Sequence, residues 1–348
     1  MKKKVLVCIS IACMLMLGLM GWRMKNIELM FEDGIDLGGA NGVTSMRRCS
    51  ASYVSFDRDA ALAELLGEGA AFKEEWGNGA VYSAGGGEGE RLLVVDDVGL
   101  CGQNGIGFNY LDTDAEIGNE LELFYNEHWG TAENDELMAR CLERELDFMS
   151  REDASRLVLD RLSALGQQNV EVTALFGVGM DDLIEQYGDR EGLEEYYEIN
   201  LRQTVDGIPV NGKSYANRSG HLCDMDGPYI VARVTANGLV QMSCSHMLVP
   251  TPLGESERII SFYEACNILS DSYAGSIVGS AELIYHEVMT GDDARVELVP
   301  TWAFGLKSYG AAQGSSDYRY EYCLMDAITG EIYEHLHRYA GAGIQEDV

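Results

Sequence analysis

Two short strings carry the residue types best suited to a metal: His221-Leu-Cys223 and Cys244-Ser-His246. Alternate residues of a strand share a face, so each pair can present both side chains together. Two imidazoles and two thiolates then make a tetrahedral zinc set. The pairing expected around them opposes this. If Asn237-Gly238 makes a hairpin turn, residue 244 lies opposite 231 and residue 246 opposite 229. His221 and Cys223 then fall on the order of 25 Å away along an extended chain, and only a reversal at Pro228 brings them back. Unlinked thiols are expected in preference to a Cys223–Cys244 disulfide or a zinc site. No metal or cofactor is expected, and His221, Cys223, Cys244 and His246 are the candidates if one is held.

Other polar clusters are weaker. "DTDAE" (112–116) begins like a calcium loop, but the glycine due at the sixth position is Ile117 and the twelfth position is Leu123. A solvated loop is expected. Asp181-Asp182 reads as a helix start and Asp292-Asp293 as a turn. The glycine clusters lack the lysine and the strand–helix setting of a phosphate loop, and there is no G-x-S-x-G. None of the six histidines stands near a plausible nucleophile, so no catalytic residue is assigned and the chain is not read as an enzyme. Trp302 with Tyr318, Tyr320 and Tyr322 could line a ligand or partner surface. Core packing is the plainer expectation for these aromatics.

These residues sit in a chain of 348 with 46% hydrophobic residues, enough for two or three domains with real cores. Charge is its distinctive property. The formal net charge is −32, and from residue 26 onward 20 basic residues face 57 acidic ones, or −37. Such a body is repelled by nucleic acid and by anionic head groups, and it favours a neutral or basic partner. Nine cysteines are scattered with no C-x-x-C, and seven lie beyond the N-terminal segment. An odd number in a long chain reads as small buried hydrophobes rather than as a disulfide framework.

"MKKKVLVCISIACMLMLGLMGWRMK" opens with three lysines, followed by an uncharged run over 5–22. The run is near the shortest length that spans hydrocarbon, and Trp22 stands where an interfacial aromatic belongs. The expected reading is a single-pass anchor in the cell membrane, with the N-terminus cytoplasmic and the body extracytoplasmic. A cleaved signal and a lipoprotein signal at Cys13 remain open, giving a secreted or lipid-anchored body.

The elements follow from period and caps. Residues 57–67 read as a short helix ending at Gly67, 91–100 as a strand, 101–107 as a loop and 136–149 as a helix. "SREDASRLVLDRLSALG" and "SFYEACNILSDSYAG" then open alike, Ser150-x-x-Asp153-Ala154 and Ser261-x-x-Glu264-Ala265, with helix start signals at a constant offset. Strand patterns follow each helix. In 196–205, Tyr197, Ile199, Leu201, Gln203 and Val205 share a dry face, while Glu198, Asn200, Arg202 and Thr204 share a wet one. Pro300 cannot donate to a ladder and is expected at an edge or a bulge. Gly330 supplies the freedom for a reversal in "YCLMDAITGEIY".

The expected fold class is α+β: an N-terminal transmembrane helix, then repeated units of a helix on an antiparallel sheet. Residues 1–25 are the anchor or signal segment, 26–50 a stalk and 51–135 a small α+β unit. Residues 136–250 are the first repeated unit, 251–340 the second and 341–348 a tail.

The helix from Ser261, "LVPTWAF" and "DAITGEIY" resemble a PepSY-type module and the C-terminal part of the YycH and YycI regulatory proteins of Gram-positive bacteria. "VDGIPVNG" (205–212) resembles the matching strand end of such a unit in its own repeat. The resemblance covers roughly 150–338. It implies a membrane or envelope protein as partner, and modulation of a sensor kinase or envelope enzyme by binding, without catalysis. A binding protein for a small molecule, peptide or wall component is the alternative.

Overall fold

The computed structural model describes residues 30–31, 37, 40, 42–54, 56–76, 79–85, 90–100, 103–112, 135–189, 192–211, 228–273, 276–290, 295–308 and 320–338. The N-terminal run, "DTDAE" after Asp112, His221, Cys223 and Tyr318 lie outside them. Among the described residues no helix is long and apolar enough to cross a membrane.

The protein is α+β, mainly antiparallel sheet with few helices. The first sheet begins with β3 (Ala71–Trp76), β4 (Gly79–Ala84), β5 (Arg91–Leu100) and β6 (Gln103–Asp112). It continues with β7 (Val170–Val178), β8 (Tyr196–Val205), the short β9 (Ile208–Pro209), β10 (Tyr229–Thr235) and β11 (Gly238–Ser245). Its order is β3-β4-β5-β6-β11-β10-β8-β7, with β9 folded back on β8. The second sheet holds β1 (Met30–Phe31), β13 (Ser276–Thr290), β14 (Arg295–Ser308), β15 (Tyr320–Asp326) and β16 (Ile332–Arg338). A further strand, β2 (Ser45–Tyr53), pairs with both β14 and β12 (Leu248–Arg258).

Helices start where the sequence caps them. The helices are α1 (Arg58–Ala61, drawn out by a π-type turn to Leu66), α2 (Asp135–Glu143), α3 (Arg151–Ala164), α4 (Met180–Tyr187) and α5 (Phe262–Ser272). Ser150 accepts from Asp153 N at 3.1 Å. Ser261 and Glu264 exchange both bonds of a capping box. The strand order after α3 (β7, β8, β10, β11) and after α5 (β13, β14, β15, β16) is the same consecutive meander.

A third copy accompanies these two. Asp57 accepts from the amides of Asp59 and Ala60 and starts α1, and β3 to β6 follow in the same order. Four residues after each cap stands a buried alanine: Ala61, Ala154 and Ala265. Eight residues after it stands a buried aliphatic: Leu65, Val158 and Leu269. The small residue lets each helix lie close on its sheet, and the aliphatic one turn-pair later fills the gap. Helices α1 and α3 share one core on one face of the first sheet, and α5 forms the other core with the second sheet. Copies one and two join through their last strands, β6 and β11.

Several expectations need correction. Residues 45–50 belong to β2, whose Met46 and Cys49 are core, and not to a stalk. The boundaries at 135 and 250 do not match the sheets either. Strands β3–β6 are continuous with the sheet of the next unit, and β12 crosses residue 250 into the second sheet. The helix expected over 136–149 ends at Glu143, because the buried Tyr197 hydroxyl takes the backbone of Leu146 and Met149 at 2.6 and 2.9 Å. Residues 103–107, read as loop, are the start of β6. The β10–β11 turn is centred on Ala236-Asn237, one residue early, and a bulge follows, so Cys244 stands opposite Ile230. Pro300 is neither at an edge nor in a bulge. It lies in the interior strand β14 where one neighbour, β2 at 296–298, gives way to the other, β15 from Thr301.

Candidate functional site

Helices α1 and α3 pack on one face of the first sheet and α2 and α4 cover part of the other, while α5 packs on one face of the second. The charge lies on the faces away from α1, α3 and α5. In the first sheet, Glu198 of β8 is registered with Arg233 of β10 and with Phe176 of β7. Arg233 Nη2 donates to Glu198 at 3.4 Å, both side chains are almost wholly buried, and the guanidinium lies 5.1 Å from the Tyr196 ring centre. The face read as wet is therefore wet only from Asn200 onward; at Glu198 both faces are covered. Cost explains the pairing: an unpaired charge at that depth is untenable, and the cross-strand arginine supplies both counter-charge and hydrogen bond.

In the second sheet the charge is carried by Asp326, at the end of β15. Its carboxylate accepts from Ile328 N at 2.7 Å, Thr329 N at 3.0 Å and the Tyr333 hydroxyl at 2.8 Å, and it pairs with Arg48 of β2. Burial pushes the carboxyl up, but the bonds from Thr329, Tyr333, Ile328 and Arg48 outweigh it and hold Asp326 below the usual carboxylate range. Burial and then the bond to Asp326 push the Tyr333 phenol up. The turn itself closes as Gly330 N donates to Asp326 O at 2.8 Å. Gly330 has φ +75°, so the backbone favours glycine there; a Cβ would also displace the Ile268 Cδ1 end of α5, at 2.7 Å.

The two charged faces meet. Arg202, further along β8, pairs with Glu171 of β7 and with Glu282 of β13. Gln203 does the same work from the dry face. Its amide donates to Leu248 O at 2.5 Å and accepts from Leu248 N at 2.9 Å, completing the backbone of β12 as a strand would. That is why an amide stands in the dry row of β8. A further ionic centre fixes the helices over the first sheet: the buried Asp182 of α4 receives Arg140 and Arg144, and the amide of Gly179 at 3.1 Å.

Two neighbouring groups of β13 stand apart from this pairing. His286 Nδ1 and both carboxylate oxygens of Glu287 are sealed from solvent without a hydrogen-bond partner. Burial lowers the His286 pKa to about 4 and raises that of Glu287 to about 8. Their registers, opposite Val299 and Leu298, put them on opposite faces of the sheet. The His286 ring lies 6.2 Å from that of Tyr333. Sequence reading missed both, since a lone His-Glu pair in an apolar strand carries no local signal of its depth.

Of the residues singled out by sequence, those that are described stand in separate places. Trp302 is core: its indole donates to Ile260 O at 3.0 Å and its ring stacks with Phe304. It shares the helix-bearing face with Phe304 and Met325. Positions 320 and 322 alternate with Cys323, which is in that core, and so fall on the other face. By register, Trp302 and positions 320 and 322 belong to opposite faces of the sheet. Cys244 is buried in the first core, and burial pushes its thiol up. His246 lies just past β11 at φ +57°, edge-on to Tyr53 at 6.0 Å. Cys49, Cys141, Cys244, Cys266 and Cys323 are all free and buried. "VDGIPVNG" links the second and third strands of its unit and "DAITGEIY" the third and fourth, so the two turns are not equivalent in the meander. Among the described residues no group of three or more His, Cys, Asp or Glu is placed to hold a metal ion.

No protein-family model matches the chain. No curated protein matches it. Among solved structures, the chain is similar to an uncharacterized protein from Eubacterium rectale, at 15% identity and a TM-score of 0.58, covering 84% of this chain and 86% of that one. The likeness is one of fold.

Proposed function

We propose that the chain is a membrane-anchored, extracytoplasmic regulatory protein of PepSY-like, YycH/YycI-like type that acts by binding and not by catalysis. Residues 5–22 anchor it, and its partner is a membrane or envelope protein such as a sensor kinase or an envelope enzyme, not nucleic acid. The observation that carries this reading is where the cations go. At least ten of the twenty basic side chains beyond residue 26 are engaged with carboxylates of the chain itself. Most of those pairs join separate strands and helices, so the field outside is that of the unmatched acids. Such a surface steers toward a basic face on a partner and away from polyanions.

The test is made in the native host with the full chain. A C-terminal reporter that folds only outside the cytoplasm is combined with photo-crosslinking groups on the exposed acidic surface. An active reporter in the membrane fraction, with crosslinks to one membrane or envelope protein that fade with added salt, is the expected result. An inactive reporter with the chain in the cytosol overturns the anchor and the address, and crosslinks unaffected by salt overturn the electrostatic basis.

The alternative, a binding protein for a small molecule, peptide or wall component, is favoured by one feature. The unpartnered carboxylate of Glu287 would be satisfied by a ligand donor. A wall fragment that raises the melting temperature of the wild type and not of Glu287→Gln would move the reading there.

A further inference from the structure

The sheet edges are unequal. Edge strand β3 carries Lys73, Glu74 and Glu75 and an irregular register between Phe72 and Glu74. Edge strand β7 has a bulge at Thr173, and Arg151 already takes the Leu175 carbonyl at 2.8 Å. Strand β12 has Pro250, Pro252, Glu255 and Glu257, and its register jumps between Leu253 and Glu257. Strand β13 is met by β1 and by Val210. Each device is of a kind that blocks further strand pairing.

Strand β16 lacks them over its second half. Past the irregularity at Tyr333, residues 334–338 pair evenly with β15, and among the described residues they pair with nothing else. They contain neither proline nor glycine. The molecule also shows what a last strand of this unit does when a partner is present: β6 and β11, the fourth strands of copies one and two, pair antiparallel from Phe108↔Cys244 to Leu111↔Gln241. Among the described residues, the fourth strand of copy three has no second neighbour.

We infer that two copies of this chain associate through β16, antiparallel about a two-fold axis at Leu336. The sequence of the strand selects that occupant and that register. With 336 opposite 336, residue 334 stands opposite 338 of the second copy, a glutamate against an arginine, twice by symmetry. Residues 335 and 337, both histidine, stand opposite each other. In a body at −37, this segment is formally neutral, so it is a place where a second copy can approach without like-charge repulsion.

Sedimentation of the full chain, solubilised in a mild detergent, tests this. The wild type is expected to be a dimer. Glu334→Arg and Arg338→Glu each place like charges opposite one another and weaken the dimer roughly tenfold, while the double swap restores it. Leu336→Cys gives a disulfide-linked dimer under mild oxidation. A wild type that stays monomeric, or a dimer indifferent to the single swaps, overturns the inference. So does a double swap that remains monomeric while its circular dichroism is that of the wild type.

Discussion

Each sheet buries one carboxylate against one arginine, and the two solve that problem differently. Glu198 depends on Arg233 directly across the strand pair, and both are shut from water. Asp326 has an arginine that is partly exposed, and it is also held by two turn amides and a phenol. The first is an ion pair across two strands, buried at both ends. The second is a turn built around an anion, to which the arginine is an addition. A buried pair is costly to break from one side, whereas an anion with several donors tolerates the loss of one.

The largest expected effect tests that contrast. Arg233→Met removes the cross-strand counter-charge of the buried Glu198 and is expected to cost about 3–5 kcal/mol, with Glu198→Leu in the same chain recovering most of it. Arg48→Met is expected to cost less, about 1.5–3 kcal/mol, because three donors to Asp326 remain. Urea denaturation of the wild type and the three variants gives the comparison. Equal losses at the two sites would erase it.

The Arg48 contribution has a pH signature. The folded pKa of Asp326 is depressed, so its stabilisation is present above the unfolded value near ~3.9 and is lost as pH falls through the lower folded value. Acid titration of the wild type and Asp326→Asn should converge only below about pH 4. Glu287 runs the other way. Its folded pKa is raised, so its stability is fully present below the unfolded value near ~4.3 and is lost as pH rises toward about 8. His286, lowered to about 4, opposes it below pH ~6.5. Stability should therefore fall between pH ~6.5 and about 8, by at most roughly 1.4 kcal/mol per pH unit, and Glu287→Gln should flatten that slope.

The smallest effects are at the caps. Ser150→Ala and Ser261→Ala are each expected to cost about 1 kcal/mol, with Asp57→Ala similar if the third copy is built as its homologous contacts indicate. Melting curves of the three variants check this, and a neutral Asp57→Ala would separate α1 from the other two.

How much of this was legible depends on distance along the chain. The caps at Ser150 and Ser261, the alternation of β8 and the reversal at Gly330 are local, and each stands where its residues place it. The kinship of α1 was not legible, because Asp57-Arg-Asp-Ala lacks the Ser-x-x-acid form and its offset differs from that of the other pair. Glu198 with Arg233 was not legible either. Charges in alternating strand positions announce solvent, and what covers them is decided elsewhere in the fold. Trp302 and the tyrosines were separated by simple parity: once β14 and β15 are in register, odd and even positions go to opposite faces.

The place of β2 has a consequence in time. The partners of this strand are β12 and β14, far later in the chain, and Arg48 must wait for an aspartate 278 residues on. At ribosomal rates of roughly 5–20 residues per second, that is on the order of tens of seconds before the pair can close. The second sheet can therefore close around β2 only after β14 has been made, a pairing of high sequence separation of the kind that slows folding.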